Sequence, residues 1–207
     1  MLPDNAQRWL DQASQRLKWS KTASGGFHSD ICGTDWDRFI ERQAGRIYMF
    51  LLDALGPFYT EPKRTILAIE DGFHSSGANA SFEPGTGQVR LCPTYVEGKP
   101  GITLEKLCHE FVHASLDGFP EGDPFYEEGE VDYSVWVLAH APYWEPYRRD
   151  MIEVAAYNIK CRRDRAMKTQ SDYDRKRWAG GLYAATAYGP YIIARLRQKK
   201  AEGDLTW

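Results

Sequence analysis

The sequence predicts an α+β domain, a small β-sheet followed by a helical half. Three observations predict it. A β-rich run from Arg64 to Glu70 precedes two short segments, Ala78 to Glu83 and Gln88 to Cys92, that flank the turn Pro84-Gly85-Thr86-Gly87. Leu104, Leu107, Phe111 and Leu116 then recur at helical spacing. From residue 119 onward the chain reads as helices. The expected organisation is one domain over 33–200, its sheet and first helices in 33–118 and its helical half in 119–200, preceded by a polar extension over 1–32.

Residues 1–32 are polar and include the Ser/Gly-rich stretch Ser20 to Gly26, so they predict a short helix and a loose linker without chemistry. His28 reads as a surface residue. Trp36 to Leu55 has helical apolar spacing and stops at Gly56-Pro57. Arg64 to Glu70 reads as a buried strand, and the two segments around Pro84 to Gly87 read as a hairpin. For the following helix, Thr103 is the expected N-cap, Glu105 falls in the first turn and Gly118 follows the last apolar position. Asp123 before Pro124 predicts the cap and first turn of a second helix. Asp150 to Ile159 and Gly181 to Lys200 are expected helices, separated by a charged run from Lys160 to Arg177 that reads as a solvated face.

The 207 residues carry a formal charge of −3, which gives no general reason to expect nucleic acid or an anionic membrane as partner. The first residues lack the apolar core of a signal peptide, and the longest apolar run, Ile47 to Leu55, is interrupted by Asp53 and too short to span a bilayer. As it stands, the chain is expected in the cytoplasm. Cys32, Cys92, Cys108 and Cys161 are dispersed with no C-x-x-C pair, so reduced thiols are expected.

The chemistry concentrates between Leu104 and Tyr133. On a helix, His109 and His113 are four residues apart and project from one face, so both imidazoles can reach one metal ion, with Glu110 beside it. Hydrolytic zinc sites use three protein ligands and keep a further position for water. The best candidate for the third is Glu128, early in the second helix. Asp132, four residues later on the same face, is placed to accept the second ring N–H of a ligand histidine. Taken separately, Glu127, Glu128 and Glu130 are equally consistent with a solvated acidic face. Cys108 points about 100° away from His109 round the helix and is not made a ligand.

A His-x-x-x-His helix followed by Glu-x-x-x-Asp on the next helix resembles the gluzincin metallopeptidases. More narrowly, residues 64–198 resemble the basic secretory protein family of peptidases. The motifs that carry the resemblance are Leu67-Ala68-Ile69-Glu70-Asp71, His109 to His113, Glu128-Gly129-Glu130-Val131-Asp132-Tyr133, Ala141-Pro142-Tyr143-Trp144, and Arg177-Trp178 through Ala187. That resemblance implies a zincin-like fold, with a small mixed sheet whose edge strand lies over the active-site helix. It implies one Zn²⁺ per chain on His109, His113 and Glu128, with Glu110 as general base in peptide hydrolysis. It also implies a tyrosine as hydrogen-bond donor to the scissile carbonyl oxygen, Tyr183 being chosen with Tyr188 and Tyr191 as the alternatives, and Ala78, Asn79 and Ala80 as the strand that pairs with a peptide or protein substrate, an ordinary structural strand being the equal alternative. Three departures stand out: the family is secreted, Leu182 is inserted before Tyr183, and Gly189-Pro190 occupies a position that is apolar helix in the family.

Two other classes fit parts of the pattern. One is a zinc-site scaffold without turnover. The other is a DNA-associated protease of the SprT-like kind, which completes its site with a third histidine; His140 is the only histidine after His113.

Overall fold

A computed structural model describes residues 17–21, 43, 47, 50, 51, 54, 65–69, 80–83, 88–91, 99–116, 124–169, 171–187 and 189–203. The described chain is α+β. Strands β1 (Leu17–Lys21), β2 (Thr65–Ile69), β3 (Ala80–Glu83) and β4 (Gln88–Leu91) form a mixed sheet in the order β1-β2-β4-β3. Strand β2 pairs in parallel with both β1 and β4, and β3 runs antiparallel to β4 with Ala80 opposite Leu91 and Glu83 opposite Gln88. The expected strand and hairpin are therefore present, and β3 is an edge. Ala80 lies on it; Ala78 and Asn79 lie outside the described residues.

The expectation for 1–32 is corrected at residues 17–21. They are neither helix nor linker but the strand β1, paired residue for residue with β2 from Leu17 opposite Thr65 to Lys21 opposite Ile69. The alternation Leu17-Lys18-Trp19-Ser20 is only four residues long and breaks at Lys21, and a parallel partner 48 positions away leaves no local turn signal.

Five helices follow: α1 (Pro100–Leu116), α2 (Pro124–Leu138), α3 (Arg148–Thr169), α4 (Asp172–Ala187) and α5 (Gly189–Ala201). Helix α1 begins at Pro100, whose fixed φ and missing N–H suit a first turn. Thr103 is thus one turn inside the helix, where its hydroxyl donates to Lys99 O at 3.1 Å, and is not the cap. Glu105 leaves the first turn as well: it is buried and accepts from Asn158 Nδ2 of α3 at 2.8 Å. Helix α2 begins at Pro124, as its proline predicts. The expected helix over 150–159 extends to Thr169 and takes up part of the charged run. What reads as one final helix is two, α4 and α5, the second opening on Gly189-Pro190.

Helix α1 is the centre of the packing. It lies against β3 and β4 on one side and against α2 and α3 on the other. Leu104, Leu107, Phe111 and Val112 are fully buried, and they join Val89 and Leu91 of the sheet, Val131, Val135 and Leu138 of α2, and Met151 of α3 in one core. The helical residues Ile47, Phe50, Leu51 and Ala54 enter the same core. Phe50 stacks on Tyr143 at a centroid distance of 4.4 Å and meets Trp144 edge-on at 5.2 Å. Trp144 also donates its indole N–H to Leu138 O at 2.6 Å, which ties the Ala141-Pro142-Tyr143-Trp144 turn to the end of α2. Among the described residues no helix is long and apolar enough to cross a membrane.

Helices α2 and α4 approach backbone to backbone. A Cβ on Gly129 would stand 1.7 Å from Arg177 O, and one on Gly180 would stand 2.0 Å from Tyr126 O. Hydrogen is the only side chain that fits at either position. This contact matters because it sets Arg177 against the residues that flank Gly129.

Candidate metal centre

His109 and His113 meet side chains of α2, and both they and Glu110, next to His109 in the chain, are buried. Glu128 comes from the first turns of α2, next to the glycine that admits α4. One ligand atom from each of His109, His113 and Glu128 lies within 4.8 Å of the others, so this trio could hold a metal ion. The carboxylate of Glu128 straddles the two rings: Oε2 is 3.7 Å from His109 Nε2 and Oε1 is 3.5 Å from His113 Nε2.

The donor set fits a zinc ion. Two imidazole nitrogens and one carboxylate oxygen match the ligand types of hydrolytic zinc, and three ligands leave room for a fourth. His113 Nδ1 lies 2.8 Å from Glu127 Oε1 and donates to it, which turns Nε2 towards Glu128. His109 Nδ1 is buried with no hydrogen-bond partner among the described residues; Asp132 Oδ1 is 3.8 Å away, ion-pair range rather than a hydrogen bond.

The carboxylates and rings shift one another's protonation. Burial works against a charged His113, but the bonds to Glu127 and Glu128 outweigh it and push its pKa up to about 10 in the metal-free chain. Glu128 loses hydration on burial, yet its bonds to His109 and His113 hold it well below the usual carboxylate range. Glu110 moves the other way: burial raises its pKa, and the neighbouring histidines only partly offset this.

The sequence-predicted residues are therefore brought together unequally. His109, His113 and Glu128 meet, with the buried Glu110 near enough for the charges of all three to act on it. Asp132 sits on the His109 side but gives its oxygens to Arg177, which donates Nε to Oδ2 at 2.8 Å and Nη2 to Oδ1 at 3.1 Å. Tyr183 is 57% exposed, about 100° round α4 from the buried Ala184. His140 stands apart, exposed, with Nδ1 2.7 Å from Trp136 O. The expected solvated faces contain two residues of the site, the half-exposed Glu127 and the buried Arg177. Arg177 is 6% exposed, and a cavity of about 150 Å³ lined by Tyr133, Trp136 and Trp178 backs its pair with Asp132. The only signal in the sequence was a surplus of carboxylates on α2 without a local cation.

Comparison with protein-family models, with curated proteins and with solved structures gives no match.

Proposed function

We propose that the chain is a zinc-dependent metallopeptidase of zincin-like fold and gluzincin type. The observation that supports it is the convergence of His109, His113 and Glu128 from two helices, with the buried Glu110 within electrostatic reach of all three. When bound, zinc supplies Lewis acidity: it polarises a carbonyl oxygen and makes a water nucleophilic near neutral pH.

The chain's own residues do the rest. Glu110, with a proton affinity raised by burial, takes the proton of the attacking water on its carboxylate. The water oxygen bonds to the carbonyl carbon, the C–N bond breaks, and Glu110 returns the proton to the leaving amine. Edge strand β3, packed on α1, offers main-chain groups for pairing with an extended peptide. The resemblance assigns Tyr183 to the carbonyl oxygen; its exposed position gives that role no geometric support, and the reading does not rest on it.

The test is zinc content and hydrolysis of an unstructured protein such as casein, for wild type and Glu110→Gln in parallel. The expected outcome is about one zinc per chain in both and cleavage by wild type alone. Cleavage by both overturns the role of Glu110, and zinc without cleavage in either favours the scaffold reading.

A further inference from the structure

Arg177 touches two carboxylates whose roles differ. Nε and Nη2 both bond Asp132, Nη1 donates to the Tyr173 hydroxyl at 2.5 Å, and Nη2 also lies 3.0 Å from Glu128 Oε2. Two bonds to one carboxylate and a third to a phenol fix the plane of the guanidinium. The two oxygens of Glu128 are thereby made unequal. Each oxygen faces one histidine, Oε2 His109 Nε2 at 3.7 Å and Oε1 His113 Nε2 at 3.5 Å, but Oε2 also meets the buried Arg177 at 3.0 Å, with no arginine on Oε1 among the contacts described.

We propose that Arg177 is a positioning residue that occupies Oε2 of Glu128, so that Glu128 offers a metal ion the single oxygen Oε1. The inference rests on the metal-centre reading above and deepens it. A tetrahedral ion with three protein donor atoms keeps one position for water or substrate, whereas a carboxylate that bound through both oxygens would fill it. Arg177 would thus keep the centre open. Lysine could not substitute fully, because one nitrogen cannot hold both oxygens of Asp132 in a fixed fork and reach Glu128.

A purely structural arginine predicts something different. Loss of ordinary outer support weakens metal binding by roughly 10–100-fold. Loss of a residue that blocks a donor oxygen leaves binding intact and changes the coordination number.

The experiment loads the full chain with Co²⁺ and reads its visible absorption, with affinity measured by competition against a chromophoric chelator. Wild type should show the intense absorption of four-coordinate cobalt. The double variant Arg177→Met/Asp132→Asn, which removes both partners of the bidentate pair and leaves Arg162 Nε, 3.7 Å from Asp132 Oδ2, beside a neutral amide, should bind cobalt within about tenfold of wild type, lose visible intensity as coordination rises, and lose peptide hydrolysis. Arg177→Lys should fall between the two. A weak, five-coordinate spectrum in wild type overturns the proposal, and this holds even if the double variant does not fold. A double variant that keeps the wild-type spectrum while affinity drops overturns it too. Absence of cobalt uptake by wild type overturns the metal-centre reading itself, and this inference with it.

Discussion

His113 and Glu127 form a direct side-chain pair, Nδ1 to Oε1 at 2.8 Å, that joins the last turn of α1 to the first turn of α2. An acceptor on one ring nitrogen fixes both the tautomer and the tilt of the ring, and so aims the other nitrogen. Glu127→Ala should therefore weaken metal binding without removing a ligand. Because the Glu127 side chain is 37% exposed, the loss should sit near the lower end of the roughly 10–100-fold range for such partners. Competition with a chelator measures it, with Glu153→Ala on the exposed side of α3 as the control. Equal affinities in Glu127→Ala and wild type would assign the pair to packing alone.

The same pair gives the metal-free chain a pH dependence. His113 titrates near 10 when folded, above the usual histidine value of about 6.5. A raised folded pKa means its contribution is complete below about pH 6.5 and is lost as pH rises through about 10. Over that window the stability of the metal-free protein should fall by up to about 1.4 kcal/mol per pH unit. A metal ion needs the neutral imidazole, so uptake at pH 8 should release about one proton, and the loaded protein should not show the decline. Denaturant midpoints with chelator and with metal, together with calorimetry in buffers of different ionisation enthalpy, check both. A flat metal-free profile from pH 7 to 10 would contradict the assignment.

The crossing of α2 and α4 predicts a contrast between neighbouring glycines. A Cβ at Gly129 would meet Arg177 O at 1.7 Å, whereas one at Gly181 meets Gly129 O at 3.3 Å and nothing nearer. Gly129→Ala must push two backbones apart and should cost at least about 1–3 kcal/mol. It should also move Glu128 relative to Arg177. Gly181→Ala gains up to about 1 kcal/mol of helix propensity against a small displacement, so its net effect should stay within about 1 kcal/mol of zero. Urea midpoints decide this, and equal midpoints for the two variants would show that the helices do not cross at these residues.

The sequence by itself determined what a single element can encode. The spacing of His109 and His113 places both rings on one face of α1 because a helix repeats every 3.6 residues. Pro124 marks the start of α2, and the Pro/Gly-rich sequence over 84–87 falls between the paired strands β3 and β4. Glu128 was legible because the chemistry of two histidines calls for a third ligand nearby. Tertiary structure decided what depends on partners distant in the chain. The parallel pairing of β1 with β2, and the bonds from Arg177 to Asp132 across 45 residues, leave no periodic trace in either segment. Charge alone does not tell a solvated face from a buried ion pair. Arg177 looks like its exposed neighbours until α2 and α4 pack, because only packing removes the water that would otherwise satisfy it, and Glu127, still partly exposed, is set apart only by the His113 ring that α1 brings to it.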